Sequence, residues 1–373
     1  MMNDAEKTSR EPEPLIWILL GEKPGDNAHI LNIAKALSLP FKTIVLPSRK
    51  SKKTLKFVFR PAIAHCVNPL ENPDKAIQWP EIILTTGRNL AMAALWFQRE
   101  ANYKPKVVLL GWPHIGFSFR SESYWARQLS LIIYSGVERL PPSANVLATR
   151  LPQIGSAYTA GETIKKDDLS ALAILLVGGP TSQFSMPVAT IASVMNESVK
   201  LLTTESLHIV TSRRTPEDVL DYLRNHLPEK SLLHEWGASD KTNVYTDLLN
   251  DADKIIVTGD SISMLMDAAT RAKPLSIAAL PYRNTLARLQ DWVNLEHNIR
   301  EKPVPVFVLN QIFSIAKKLG LLRTAQYTTH LHQQLVDLGV AKLLPDGFSQ
   351  GGISPPSEMP SVSAGIKHLL TVE

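Results

Sequence analysis

From Leu15 onward the chain alternates short aliphatic runs with helix-length amphipathic stretches. In the first half the runs are LIWILLG (15–21), KTIVLP (42–47), EIILTTG (81–87), KVVLLG (106–111), SLIIYSG (130–136) and NVLATR (145–150). Each predicts a β-strand. Between them lie NAHILNIAKALSL (27–39) and RNLAMAALWFQRE (88–100), and in the former Ile30, Ile33, Ala34 and Leu37 fall on one helical stripe. Near-continuous Leu, Ile and Val runs suit strands covered on both faces, which is how parallel sheets are built. Their alternation with helices makes them βα units.

The rhythm stops at GSAYTAGETIKKDDLS (155–170), a small, polar and charged stretch that reads as a linker. It restarts with ALAILLVGG (171–179), LHIVTS (207–212), SLLHEW (231–236), DKIIVTG (253–259) and PLSIAAL (274–280). Predicted helices between them are PVATIASVMNESVKLLT (187–203), TPEDVLDYLRNHL (215–227) and SISMLMDAATRA (261–272). The expected architecture is α/β, with two Rossmann-like doubly wound domains facing across a cleft. The expected division is a polar tail over 1–14, one domain over 15–160 and a second over 165–345. Residues 346–373 form a loop-rich tail, closed by a short helix, SAGIKHLL, that can pack back on the body.

Length agrees with this division, since 373 residues is about two domains at roughly 150 residues each. The net charge of +5 suits a phosphate-bearing ligand or an anionic surface, but lacks the basic block of a duplex nucleic-acid binder. A single cysteine, Cys66, excludes an internal disulfide framework and any multi-cysteine zinc site. The first fourteen residues are polar, and no apolar run approaches the ~20 residues that span a bilayer. The expected location is the cytoplasm, with peripheral contact at the inner face of a membrane left open.

Ligands of open α/β sheets gather at the carboxyl ends of strands, so the loops there carry the candidate chemistry. The first is GEKPGDN (21–27), where Gly25 permits close backbone approach and Asp26 or Asn27 can cap the following helix. His29 lies one turn inside that helix and reads equally as a structural histidine. TTGRN (85–89) places Gly87 and Arg88 at a second helix start, where a guanidinium can pair with a carboxylate or phosphate or lie solvated. GWPHIG (111–116) brings His114 to the end of the fourth strand, as a pocket wall or a buried turn.

The second half offers three more loops. VGGPTSQF (177–184) has the pair Gly178–Gly179 after its first strand. TSRRTP (211–216) sets Ser212, Arg213 and Arg214 before a Thr215–Pro216 helix entry, with Thr215 as cap and Pro216 as first helical residue. Two arginines beside free helix amides suit a diphosphate clamp or lie as ordinary surface charge; binding is favoured for Arg213, and neither is chosen for Arg214. TGDSIS (258–263) turns at Gly259, with Asp260 or Ser261 as cap and the Ser261 and Ser263 hydroxyls near the first-turn amides. Asp267 lies four residues past Ser263, on the same helical face.

Together these loops resemble the mitochondrial-fission ELM family, whose bacterial members look like GT-B-type glycosyltransferases. The resemblance is carried by GEKPGDNAHILNIAKAL, ILTTGRNLAMAAL, VERLPPSANVLATRLPQ (137–153), LLVGGPTSQF, IVTSRRTPEDVL and ADKIIVTGDSISMLMDAATRAKP (252–274), spanning roughly residues 15–285. The last segment is also similar to the nucleotide-sugar half-site of GT-B enzymes that build cell-wall lipid intermediates. The resemblance implies that Gly259–Ser263 hold a diphosphate, Asp267 the ribose and Gly178–Gly179 the donor phosphates or sugar. Residues 234–245 would lie near the base. Ser212, Arg213, Thr215, Asp260, Ser261 and Met264 complete the implied nucleotide-sugar set. The acceptor side would be Glu22, Gly25, Asn27, His29, Gly87, Arg88 and His114.

The implied activity is transfer of a sugar from a nucleotide-activated donor to a cell-surface glycan, such as lipopolysaccharide, or to its lipid-linked precursor. Helix amides and arginines would carry the leaving-group charge, with no metal and no cofactor beyond the donor. Asp26 is the candidate catalytic base, with Glu22 and His29 as rivals. A nucleotide-sugar epimerase of the same architecture is the alternative enzyme. A non-catalytic adaptor that keeps the fold is the alternative of another class, since plant members of the family are viewed as adaptors.

Overall fold

Successive residues of the first strand point into opposite layers, and both layers are apolar. In this computed structural model, which describes residues 14–21, 24–46, 78–111, 124–135, 145–152, 171–202, 205–237, 244–288, 315 and 328–371, β1 spans Ile16–Leu20. Its Trp17 and Leu19 pack with Ala91, Ala94 and Phe97, while Ile16 and Ile18 pack with Ile30, Ile33 and Leu37. The two sets belong to helices on opposite faces, α2 (Gly87–Glu100) and α1 (Pro24–Leu37). Trp17 meets Phe97 edge-on, with ring centroids 5.7 Å apart. Burying each such side chain is worth about 1.5–3 kcal/mol, which is why this strand has no polar residue to spare.

Around β1 the first sheet adds β2 (Phe41–Val45), β3 (Ile82–Thr86), β4 (Lys106–Leu110), β5 (Leu131–Tyr134) and β6 (Val146–Ala148). The order is β2-β1-β3-β4-β5-β6 and every pairing is parallel. The order therefore reverses between β1 and β3.

The second sheet holds β7 (Leu172–Val177), β8 (Ser206–Thr211), β9 (Ser231–His234), β10 (Lys254–Thr258), β11 (Leu275–Ala278) and β12 (Lys342–Leu343). Its order is β12-β11-β10-β7-β8-β9, again all parallel, with the reversal between β7 and β10. Helices α3 (Val188–Leu201), α4 (Glu217–Asn225), α5 (Val244–Asp251), α6 (Ile262–Ala269) and α7 (Thr328–Asp337) cover it. On β10, Ile255 and Val257 pack with Leu265 and Leu331, while Ile256 faces Ile191 and Val194 on the other side. The chain is thus α/β, with the two doubly wound sheets expected from its hydrophobic pattern. Strand positions agree with that pattern to within one or two residues at each end.

Several details differ from expectation. Helix α1 starts at Pro24, three residues earlier, so Asp26 lies within its first turn and does not cap it. Pro216 is the N-cap of α4, whose helical residues begin at Glu217. Helices α5 and α7 and strand β12 are additions to the expected elements. The linker over 155–170 lies outside the described residues.

The tail has a defined destination. Ser349 is buried, accepts from the Leu275 N–H at 3.0 Å and donates to the Val340 carbonyl at 2.8 Å, which fastens the segment after β12 to the second sheet. The last helix, α8 (Met359–His368), then packs Val362 and Ile366 with Ile30, Ile33 and Leu37 of α1, which covers the first sheet. Just before it, a Glu358 carboxylate oxygen accepts from the Arg150 and Leu151 amides at 2.7 and 3.3 Å. The two strands of chain that pass between the sheets are tied together there. Among the described residues no helix is long and apolar enough to cross a membrane.

Candidate functional site

Both order reversals open onto one cleft of about 780 Å³. The loops that follow β1 and β3 contribute Gly25, Asp26, His29, Gly87 and Arg88 to its lining. The loops that follow β8 and β10 contribute Ser212, Arg213, Arg214, Asp260, Ser261, Ser263 and, further along α6, Met264 and Asp267. Chain connectivity explains the coincidence, since strands on either side of a reversal send their helices to opposite faces and leave a crevice at their carboxyl ends.

On the first side, the turn after β1 is closed by Asn27. Its side chain accepts from the Gly21 N–H at 2.9 Å and donates to the Gly21 carbonyl at 2.8 Å. Asn27 is absent from the cleft lining, so its role in the structure is to shape the loop that presents Asp26. Gly87 adopts φ +69°, which lets β3 pass directly into α2 and sets Arg88 in the first turn. His29 is 5% exposed, and burial lowers its pKa to about 4 against the opposing pull of Asp26. Its imidazole is therefore neutral at neutral pH. Glu22 and His114 lie outside the described residues.

The two sides approach closely. A Cβ on Gly25 would stand 3.2 Å from Ser263 Oγ, so the starts of α1 and α6 abut across the cleft. A larger residue at position 25 would push them apart.

The second side is an interlock of three loops. Gly178 N–H donates to Thr258 Oγ1 at 2.8 Å, and Gly179 N–H donates to Asp260 Oδ2 at 3.0 Å. Thr215 Oγ1 and Ser212 Oγ both donate to the Gly178 carbonyl, at 2.7 and 2.9 Å. Neither Gly178 nor Gly179 has room for a Cβ, the first because of the Asp260 carboxylate and the second because of the Arg214 backbone. Both glycine amides are thus engaged inside the protein, and neither residue lines the cleft. The resemblance had implied ligand phosphates for them; their observed contribution is close approach between strand ends. Thr215 and Gly259 likewise lie beneath the cleft. Gly259 accepts from His332 Nε2 at 2.8 Å and has no space for a side chain under that ring.

Asp260 is the centre of the interlock. Its side chain is fully buried, accepts from Thr258 Oγ1 at 2.7 Å and pairs with Arg214 at 2.9 Å. Burial raises its pKa, with the Gly179, Thr258 and Arg214 contacts opposing. Ser261, not Asp260, is the N-cap of α6, and its side chain makes no capping bond. Asp267 accepts a hydrogen bond from the Tyr245 hydroxyl at 3.1 Å. Burial and that carboxylate push the phenol well above its usual range, so it remains a donor.

Pattern reading placed Tyr245 at the end of the loop expected near the base but not on Asp267, and it missed His330, His332 and the fastening of Arg214. The sequence favoured Arg213 for binding and left Arg214 unassigned, and the histidines sit in a stretch that matched no recognised motif. Trp236, on the loop expected near a base, lines the cleft and is 56% exposed. Among the described residues neither Arg88 nor Arg213 has a carboxylate partner, and no three His, Cys, Asp or Glu are grouped to hold a metal ion.

A relative described as "Uncharacterized protein RP120", from Rickettsia prowazekii (strain Madrid E), is 24% identical over 322 residues, covering 78% of this chain and 90% of its own. Among solved structures, a UDP-glucosyltransferase from Polygonum tinctorium is 10% identical with a TM-score of 0.49, covering 97% of this chain and 99% of its own. The UDP-GlcNAc 2-epimerase from Neisseria meningitidis bound to UDP-GlcNAc is 12% identical with a TM-score of 0.45, covering 87% and 100%. The Mitochondrial fission ELM1 family, the one these loops resemble, is matched by this chain over residues 144–298.

Proposed function

We propose that the cleft binds a nucleotide-activated sugar and transfers the sugar to an acceptor hydroxyl held against the first sheet. The observation that carries this reading is the shared cleft itself, where two strand-order reversals set unlike chemistry face to face. The second side offers Arg213, Arg214 and the uncapped start of α6, all suited to a diphosphate. Asp267, one turn along, has a carboxylate suited to ribose hydroxyls, with one oxygen already bonded to Tyr245. The first side offers the Asp26 carboxylate beside the point where α1 and α6 meet.

In this reading the acceptor hydroxyl attacks the anomeric carbon, and its proton passes to Asp26. The bond between that carbon and the diphosphate oxygen breaks, and a nucleoside diphosphate leaves with its charge carried by the arginines and helix amides. The acceptor class is a cell-surface glycan or its lipid-linked precursor. The two-domain division that follows is an acceptor-binding first unit and a nucleotide-binding second unit.

The test is thermal stabilisation by UDP-, GDP-, CMP- and ADP-linked sugars at millimolar concentration. One nucleotide should raise the melting temperature, since a ligand at 100 times its Kd adds about 2.7 kcal/mol. No stabilisation by any of them would overturn the donor site. Release of the nucleoside diphosphate should require an acceptor, and should drop at least about 100-fold in Asp26→Ala. Conversion of the donor sugar without an acceptor would replace the transferase by an epimerase. Arg213→Ala should weaken nucleotide affinity more than Arg88→Ala does, and equal small effects would return Arg213 to the solvated surface.

A further inference from the structure

Arg213 and Arg214 are adjacent and both reach the cleft, but among the described residues only Arg214 is fastened to a buried carboxylate. We propose that Asp260 is a positioning residue that holds Arg214 as the fixed diphosphate-binding cation of this cleft. The proposal builds on the nucleotide-sugar reading and names the group that meets the diphosphate.

The geometry is specific. The Arg214 side chain is 40% exposed while that of Asp260 is 0% exposed, so the guanidinium has one edge against the protein and the rest toward the cleft. One of its nitrogens donates to Asp260 Oδ2 at 2.9 Å, and among the described residues no partner is seen for the other N–H groups of the fork, which can serve a ligand. Asp260 cannot swing away with its partner. Thr258 Oγ1 holds one carboxylate oxygen at 2.7 Å, and the Gly179 N–H holds the other at 3.0 Å. The backbone of Arg214 is fixed as well, with its N–H on Ser212 Oγ at 3.2 Å and its carbonyl packed against Gly179.

Three consequences follow. An arginine already ordered by the protein loses less conformational entropy when it grips an anion than one that must first be immobilised. A carboxylate beside an anion site would repel the ligand if its charge were free, but here three donors share it. And Asp260 directly precedes Ser261, the N-cap of α6, so one residue couples the cation to a helix start whose amides face the same cleft. A diphosphate has the two anionic groups that such a pair of donors requires; a monophosphate has one.

The experiment is calorimetric titration of the full chain with inorganic pyrophosphate, and with UDP, GDP, CDP and ADP beside their monophosphates. Pyrophosphate and one nucleoside diphosphate should bind, the latter at least about tenfold more tightly than its monophosphate. Asp260→Asn and Arg214→Gln should each reduce diphosphate affinity by about tenfold and erase the preference over the monophosphate. The double variant should lose no more than Arg214→Gln alone, because Asp260 acts through Arg214. Additive losses would make Asp260 a merely structural residue and overturn the proposal. Should Asp260→Asn fail to fold by circular dichroism, Arg214→Gln at the cleft surface decides alone, and an unchanged diphosphate preference overturns the proposal. A nucleoside diphosphate that binds wild type and Arg214→Gln equally removes this inference and leaves the donor-site reading standing. Failure of pyrophosphate and of every nucleotide to bind wild type overturns both.

Discussion

On the second-sheet side of the cleft, side chains from two loops bond the backbone of a third; on the first-sheet side, among the described residues, Asn27 closes its own turn and Thr86 Oγ1 donates to the Leu110 carbonyl at 3.4 Å. Both sides use the same scaffold, a reversal of strand order in a parallel sheet. On the proposed function, the difference lies in what the loops are asked to do. A diphosphate and a ribose present the same groups in every nucleotide, and a fixed set of donors can be built for them in advance. An acceptor varies in shape, and a side that receives it gains from loops that depend on few mutual contacts. The glycines show the same contrast. Gly178 and Gly179 are locked under Asp260 and Arg214, whereas nothing lies within 4 Å of a Cβ built on Gly87.

Acidification tests both sides at once and should have the largest effect. His29 belongs to the first side and His332 to the second, and burial lowers each from 6.5 to about 4. With the folded pKa below the unfolded one, the stabilisation from each is complete above pH 6.5 and is lost as pH falls from 6.5 toward 4. The full loss is roughly 3 kcal/mol per histidine. Urea unfolding at pH 7.5, 5.5 and 4.5 should show a steep decline that His29→Gln and His332→Gln each make shallower; a flat profile in wild type would contradict the burial of both. Asp260 works in the opposite sense. Its pKa is raised, so its contribution is complete below about 3.8 and is lost as pH rises above that value. Asp260→Asn should therefore steepen the acid loss.

Truncation separates the two sides. Asp260→Ala strips partners from Thr258, Gly179 and Arg214 and should cost about 3 kcal/mol of unfolding free energy. Asn27→Ala removes two bonds to a single residue and should cost about 1 kcal/mol. Comparable losses in denaturant midpoint would show that the second side is no better interlocked than the first. Smallest of all should be Tyr245→Phe, which removes the hydroxyl that donates to Asp267 without disturbing packing. Its expected effect is a several-fold weaker nucleotide affinity, in line with about 1 kcal/mol for one hydrogen bond, and little change in stability. A stability loss as large as that of Asp260→Ala would give the Tyr245 hydroxyl a role in the core.

The strands of both sheets were legible because a strand buried on both faces must be apolar at every position, and runs such as Ile16–Leu20 and Ile255–Val257 leave few alternatives. The strand-end loops were legible because small and capping residues follow those runs directly. Helix α7 was not. In TTHLHQQLVD only Leu331 and Leu335 form an apolar stripe, and the buried Thr328 and His332 beside them are satisfied by Gln183 and Gly259, partners distant in the chain. The sequence favoured Arg213 for binding, and that Arg214 is the one fastened to Asp260 was invisible, since adjacent residues of one type differ only in the neighbour that folding brings to them. For the same reason Gly178 and Gly179 looked like ligand-facing glycines, although their amides are spent on Thr258 and Asp260.

What the amino-acid sequence determined by itself was local. It set which segments are strands and helices, where each strand ends, and which residues stand at those ends, because hydrophobic period and turn chemistry are properties of neighbouring residues. Tertiary structure alone decided that the two reversals share one cleft, that Gly25 meets Ser263, and that the last helix returns to the first sheet through Val362 and Ile366. It also decided that Arg214 and not Arg213 is anchored, because a buried carboxylate must find its donors wherever the fold places them.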